Sequence, residues 1–207
     1  MSESQHKQRP ILVYLHGFLS SPQSFKCQQM HAWLAEAHPE ITFCAPHLSP
    51  HPGATIDLLA DLLDRYLEQP AAPQIGLVGS SMGGFMATVL GERYRLPAVV
   101  VNPAVHPARF MPAYLGQTLH PYSGEDREYR LTQSDVDTMR QLEGEIAGPL
   151  NGRYWLLAQR GDETLDSREA EAFYRNQHQT IEEGGDHSFQ RFERYHQAII
   201  DFLFNQQ

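Results

Sequence analysis

Residues 75–94 read IGLVGSSMGGFMATVLGERY, in which Gly79-Ser80-Ser81-Met82-Gly83 joins a short apolar run to a helix-like stretch. This pentapeptide has the pattern G-x-S-x-G, which places a serine on a tight turn between a strand and a helix. The two glycines remove the Cβ atoms that would clash at such a turn. The segment therefore predicts a nucleophile elbow with Ser81 as the attacking residue, and the rest of the chain must supply its partners.

Apolar runs alternate with amphipathic stretches on both sides of this segment. Runs typical of strands are found at residues 11–15, 41–44, 75–78, 98–101, 154–158 and 180–182. Helical spacing of apolar residues is found at 24–37, 54–69, 85–94, 134–146 and 191–204. This alternation predicts an α/β fold with about six mainly parallel strands, helices on both faces and a ligand crevice at the carboxyl ends of the strands.

The chain has 207 residues, of which 41% are hydrophobic, and this size fits one globular domain over residues 1–207. The strand and helix rhythm breaks between residues 102 and 151, where five prolines occur. A stretch of this length at the edge where substrate should enter is typical of a cap. We therefore interpret residues of about 104–150 as a cap or lid insertion.

Charge and cysteine content exclude several classes of function. The formal net charge is -9 and no basic cluster occurs, which opposes a nucleic-acid partner. No apolar stretch is long enough to span a bilayer. Residues 1–10 are polar, without an export signal, and only Cys27 and Cys44 are present, so we predict a cytoplasmic protein with reduced thiols.

The sequence contains no motif that supports a metal site or a cofactor site. His47 and His51 are four residues apart, as in some zinc helices, but Pro50 and Pro52 disrupt a helix there. No H-E-x-x-H, paired-cysteine or strand-linked G-x-G-x-x-G motif occurs. We therefore expect chemistry without a metal or a cofactor.

A serine hydroxyl is a poor nucleophile near neutral pH, so Ser81 needs a histidine base and a carboxylate that orients this base. Of eleven histidines, only His187 follows the last strand, in the glycine-containing loop Glu183-Gly184-Gly185-Asp186-His187-Ser188-Phe189. Asp162 begins the loop after the strand at 154–158 and is the preferred acid. Glu163 and Asp166 stay open as alternatives, although Asp166 is also the better candidate for a helix cap.

The negative oxygen of a tetrahedral intermediate must be met by preorganised N–H donors. The backbone amide of Met82, directly after the nucleophile, is one expected donor, and it lies at a helix N-terminus. The amide of Phe18, in the loop His16-Gly17-Phe18 after the first strand, is the other. Gly17 allows a close approach of this loop, and His16 is interpreted as a residue that braces it.

Two groups in the cap region are candidates for substrate contact. Phe110, Met111, Tyr114 and Leu115 lie close together and could form an acyl-binding wall, although such clusters more often form the small core of a lid. Four arginines could meet an anionic group, although a solvated face is the safer interpretation: Arg109, Arg127, Arg130 and Arg140.

With these residues in view, the chain resembles the α/β-hydrolase superfamily and, more narrowly, the small bacterial YqiA-type esterases. Five motifs carry the resemblance in order: residues 15–22, 79–84, 101–104, 161–166 and 183–189. The resemblance implies a compact α/β-hydrolase fold. The chain departs from the larger superfamily because its first predicted strand already precedes the oxyanion loop, so we expect a small sheet without two of the early strands. The resemblance also implies hydrolysis of carboxylic esters, with acyl thioesters such as acyl-CoA as a further class of small-molecule substrate.

Two alternatives from other classes stay open at this point. One is a non-catalytic module that binds a small ligand in the crevice of a hydrolase scaffold. The other is a peptidase or acyl transferase that uses the same three residues.

Overall fold

The structure is a computed structural model, and it describes residues 8–205. Residues 1–7, which carry most of the polar stretch used above to predict location, lie outside the described part. The strands are β1 (Ile11–Leu15), β2 (Thr42–Cys44), β3 (Ile75–Ser80), β4 (Ala98–Val101), β5 (Tyr154–Gln159) and β6 (His178–Glu182). The helices are α1 (Phe25–Ala37), α2 (Pro52–Leu67), α3 (Met82–Tyr94), α4 (Gln133–Glu145), α5 (Ser167–Phe173) and α6 (His196–Phe204).

The six strands form one sheet in the order β2-β1-β3-β4-β5-β6, and every neighbouring pair is parallel. The predicted α/β architecture with a parallel sheet is therefore confirmed. The strand order reverses beside β1, because β2 lies on one side of β1 and β3 on the other. Ligands of open parallel sheets bind at the carboxyl ends of the strands near such a reversal.

The apolar residues of the strands alternate between two cores. In β1, Val13 and Leu15 join the core formed with α2, α3, α4 and α5, whereas Leu12 and Tyr14 join the core formed with α1 and α6. Burial of both faces explains why the strands read as continuous apolar runs in the sequence. Among residues 8–205, no helix has the length and apolar character required to cross a membrane.

The segment between β4 and β5, interpreted above as a cap, contains two 3₁₀ turns, Pro107–Arg109 and Met111–Tyr114, followed by α4. It is tied to the rest of the molecule at several points. Tyr122 N donates to Leu19 O at 2.9 Å, and His51, at the start of α2, contacts the Asp135 carboxylate at 3.1 Å. Asp135 also accepts from Thr132 N and Thr132 Oγ1, which completes a capping box at the start of α4.

Candidate active site

Ser81 lies between β3 and α3 with φ 56° and ψ −121°, in a region that residues with a side chain rarely adopt. Its backbone is fixed on both sides by the segment around β4. Ser81 N donates to Val101 O at 3.0 Å, and Ser81 O accepts from Ala104 N at 3.1 Å. These bonds hold the side chain above the carboxyl edge of the sheet.

The glycines that flank Ser81 are required by close backbone contacts. A Cβ atom on Gly79 would run into the Gly83 carbonyl, and one on Gly83 would run into the Leu15 carbonyl. A Cβ on Gly17, in the loop after β1, would lie 3.4 Å from Ser81 Cβ. The loop after β1 therefore passes directly beside the serine, and the helix α3 starts immediately after it.

The structure brings Ser81, His187 and Asp162 into one chain of contacts. His187 Nε2 lies 3.1 Å from Ser81 Oγ. His187 Nδ1 lies 2.9 Å and 3.0 Å from the two carboxylate oxygens of Asp162. The Asp162 side chain is 2% exposed and that of His187 is 26% exposed, so solvent reaches the imidazole and hardly reaches the carboxylate.

The three candidate acids have different surroundings. Asp162 Oδ1 accepts from the backbone N–H groups of Thr164 and Leu165, both at 2.8 Å, which fixes the carboxylate against His187. Glu163 Oε2 accepts from the backbone N–H of His187 at 3.0 Å. Asp166 is the N-cap of α5 and accepts from Arg168 N at 2.9 Å. Among these three, the Asp162 carboxylate contacts the imidazole ring.

Two buried amide side chains hold the loop that carries His187, and the sequence analysis assigned them no role. Asn102 Nδ2 donates to Asp186 O at 2.9 Å and to His187 O at 3.2 Å, while its Oδ1 accepts from Gln159 N at 2.9 Å. Gln159 Oε1 accepts from the N–H groups of Asp186 and Gln190. The sequence could have indicated the role of Asn102, because it is a polar residue directly after an apolar strand.

The expected oxyanion donors lie on two segments next to Ser81. Met82 is the first residue of α3, and Phe18 belongs to the loop that passes the serine. Within residues 8–205, no acceptor takes a hydrogen bond from the N–H of either residue. The geometry leaves two donors beside the serine that could meet a negative oxygen.

His16 connects this loop to the segment after β2. Leu48 N donates to His16 Nε2 at 3.0 Å, so the proton lies on Nδ1, which donates to Gly17 O at 2.9 Å. Burial lowers the pKa of His16 and so favours the neutral ring, which the bond from Leu48 N requires because Nε2 must accept. These contacts fix the position of the Gly17 backbone.

An open cleft of about 570 Å³ lies above Ser81 and His187. Phe110 and Tyr114, two residues of the expected acyl-binding wall, line this cleft, and Tyr114 packs its ring 5.5 Å from that of Phe18. Met111 is buried and faces a separate small cavity, while Leu115 packs on the core. The four residues of the expected wall therefore have three different surroundings.

Lys26 on α1 also lines the cleft, although no motif pointed to it. Its ammonium donates to Ser188 O, next to His187, and burial lowers its pKa to about 8 against the attraction of Asp186 and Asp162. Tyr14 is another lining residue, and its buried hydroxyl has no hydrogen-bond partner in the described part of the chain. The Lys26 side chain adds positive charge to the wall of the cleft.

The remaining candidates from the sequence lie away from this centre. Arg109 pairs with Glu169, and Arg140 pairs with Asp137. Arg127 lies 3.4 Å from Glu125, and Arg130 is exposed and lies outside the cleft lining. Over residues 8–205, no group of three His, Cys, Asp or Glu side chains is placed to hold a metal ion.

A protein-family model described as an uncharacterised protein family, UPF0227, matches residues 11–204. The chain belongs to this family. UPF0227 is the YqiA-like family that the five motifs resemble, so the predicted membership of this family is confirmed.

Solved structures that are similar to this chain confirm the predicted α/β-hydrolase fold. Est1E from Butyrivibrio proteoclasticus, with bound ferulic acid, is similar with a TM-score of 0.75 and 16% identity over 100% of this chain and 92% of that chain. A putative hydrolase from Agrobacterium vitis S4 has a TM-score of 0.73 and 18% identity, with coverages of 95% and 89%. The Pyrococcus furiosus esterase Pf2001 has a TM-score of 0.64 and 15% identity, with coverages of 96% and 81%.

Proposed function

We propose that this UPF0227 member is a serine esterase that hydrolyses carboxylic esters through an acyl-enzyme on Ser81. The observation that carries this proposal is the contact chain from Asp162 to His187 Nδ1 and from His187 Nε2 to Ser81 Oγ. This is the arrangement in which a histidine base activates a serine. The esterase Pf2001 among the similar structures supports the same class of reaction.

The proposed reaction has two half-reactions. Ser81 Oγ bonds to the acyl carbon as its proton passes to His187 Nε2, and His187 then protonates the departing alkoxide as the ester C–O bond breaks. Water next attacks the acyl carbon and gives its proton to His187, which returns it to Ser81 as the acid leaves. Asp162 holds the ring orientation, and the N–H groups of Phe18 and Met82 stabilise the oxyanion in both steps.

Several finer points of the proposal come from the sequence alone. Acyl thioesters are a second substrate class that the same residues would cleave. The residues between β4 and β5 are proposed as a cap over the cleft. A cytoplasmic location remains a prediction from composition, as does the lack of a nucleic-acid partner.

A fluorophosphonate probe tests the proposal directly. We expect the probe to label Ser81 in the wild-type protein, as located by peptide mass spectrometry. Ser81→Ala should abolish labelling and turnover of p-nitrophenyl butanoate. Ser134→Ala, at an exposed serine on α4, is the matched control and should retain both. Equal low turnover by wild type and Ser81→Ala would instead favour the ligand-binding alternative, and comparison of amides with esters by kcat/KM would reveal a peptidase.

A further inference from the structure

A small apolar cavity lies beside the loop after β1 and the start of α3, and neither Ser81 nor His187 lines it. Four buried methionines line it, together with Leu48 and Pro52: Met82, Met86, Met111 and Met139. The chain contains six methionines, so most of them meet at this one place. We call the space between these four side chains the methionine pocket.

The methionine pocket adjoins the catalytic centre described above, because the two spaces share lining residues. Gly17, Phe18 and Met82 line both the pocket and the open cleft, and two of them carry the proposed oxyanion donors. An acyl carbonyl held by these donors would therefore lie at the junction of the two spaces. One substituent of this carbonyl group points towards the cleft and the other towards the pocket.

The chemistry decides which substituent enters the pocket. His187 lines the open cleft and not the pocket, and it must reach the leaving oxygen to protonate it. The leaving group therefore lies in the cleft, from which it can escape to solvent before water attacks. The acyl chain stays bound to Ser81 through this exchange, so an apolar site suits it.

The pocket is nearly filled by its own side chains. Its free volume is about 20 Å³, little more than the roughly 10–15 Å³ that one water molecule requires. Methionine is unbranched and has three rotatable bonds, so its side chain can move aside for a guest at low energy. Met111 and Met139 come from the segment between β4 and β5, whereas Met82 and Met86 belong to the central helix α3.

We infer that the methionine pocket receives the aliphatic chain of the acyl group, and that Met111 and Met139 limit the chain length that the protein accepts. The inference rests on the ester hydrolysis proposed above. It assigns to the segment between β4 and β5 a role in choosing the acyl group.

Turnover of two esters tests this inference. We expect Met139→Ala to raise the ratio of kcat/KM for p-nitrophenyl octanoate over butanoate by about tenfold, and Met139→Phe to lower it by a similar factor. Met111→Ala should act like Met139→Ala and replaces it if that variant does not fold. The matched control is Met30→Ala, which opens a buried site in the core on the other face of the sheet. A ratio that changes in none of the Met111 and Met139 variants would overturn the inference.

A binding experiment separates this inference from the proposed hydrolysis. Octanoate should bind to Ser81→Ala protein in a calorimetric titration, and Met139→Phe in the same background should weaken binding by about tenfold. If wild type cleaves no ester but octanoate binding depends on Met139, the hydrolysis fails and the pocket stands. If esters are cleaved while octanoate binding does not depend on Met139, the inference about the methionine pocket is wrong and the proposed hydrolysis stands.

Discussion

Strained residues are concentrated around the candidate active site. Among residues 8–205, six residues other than glycine have positive φ angles, and five of them lie in loops at the carboxyl edge of the sheet: Leu19, Ser81, Asn102, Phe189 and Arg191. Each such residue costs about 1–3 kcal/mol and persists only where its surroundings fix it. Ser81 is fixed by backbone bonds to Val101 and Ala104. Holding the Ser81 side chain above the sheet therefore costs the fold part of its stability.

The carboxylate of Asp162 should matter for the rate and hardly for binding. We expect Asp162→Asn to lower kcat by about 10⁴, because an amide favours the wrong tautomer of His187. Steady-state kinetics on a p-nitrophenyl ester measures this loss. The matched control is Asp166→Ala, which removes the N-cap of α5 and should cost about 1 kcal/mol of stability with little effect on kcat. The reverse pattern would make Asp166 the acid.

The side chain of Asn102 should position His187 through its hydrogen bonds to the backbone of the loop. We expect Asn102→Ala to lower kcat by about 10² with a smaller change in KM, because the loop around His187 loses two hydrogen bonds. Asn102→Asp keeps the acceptor for Gln159 N and loses the donor, so it should lower kcat in the same way. Thermal unfolding of both variants separates this effect from lost stability. Normal kcat in a folded Asn102→Asp protein would contradict the positioning role.

The positions of helices and strands were predictable from the periodicity of apolar residues. The observed ends of some elements differ from the predicted ends, because contacts outside the element determine where it starts. The helix predicted at 85–94 starts at Met82, because the elbow turns directly into it. The helix predicted at 191–204 starts at His196, since a 3₁₀ turn occupies Phe192–Tyr195. The order of Ser81, Asp162 and His187 was readable from the loops after the strands. The role of Gln159 was not, because its partners are backbone groups 27 and 31 residues away.

The elbow should tolerate no side chain at Gly79, in contrast to the glycine of α4. We expect Gly79→Ala to destabilise the fold by more than about 4 kcal/mol or to prevent folding, because its Cβ would meet the Gly83 carbonyl. Gly144, in the last turn of α4, has no atom within 4 Å of an added Cβ. Gly144→Ala should therefore stabilise the protein by about 0.5–1 kcal/mol. Urea unfolding measures both changes, and a stable Gly79→Ala protein would show that the turn can relax.

In the described part of the molecule, one buried histidine has no hydrogen-bond partner. His196 at the start of α6 is 1% exposed, and neither ring nitrogen contacts a polar group within residues 8–205. Its ring packs against Trp33 and Phe192, with centroids 5.2 Å and 5.1 Å away. Burial lowers the pKa of His196 to about 4, because the charged ring would lose its hydration.

Because the pKa of His196 is lowered, the free energy of unfolding of the whole fold depends on pH. Between pH 6.5 and about 4, the unfolded chain binds a proton at His196 that the folded chain does not, so the free energy of unfolding falls as pH falls. Above pH 6.5 both states are neutral there and the full stability is present. Over this window the loss from His196 is at most about 3 kcal/mol. His16, whose pKa burial also lowers, adds to the same trend.

Replacement of the buried ring should remove this part of the acid sensitivity. We expect His196→Phe to unfold with a weaker dependence on pH between 6.5 and about 4 than wild type, since phenylalanine takes no proton and fits between the same aromatic rings. Urea unfolding at a series of pH values measures the difference. The matched control is His120→Gln, at an exposed histidine, which should leave the pH dependence as in wild type. Equal slopes in wild type and His196→Phe would show that another group carries the acid sensitivity, because removal of the proton-binding ring would then have changed nothing.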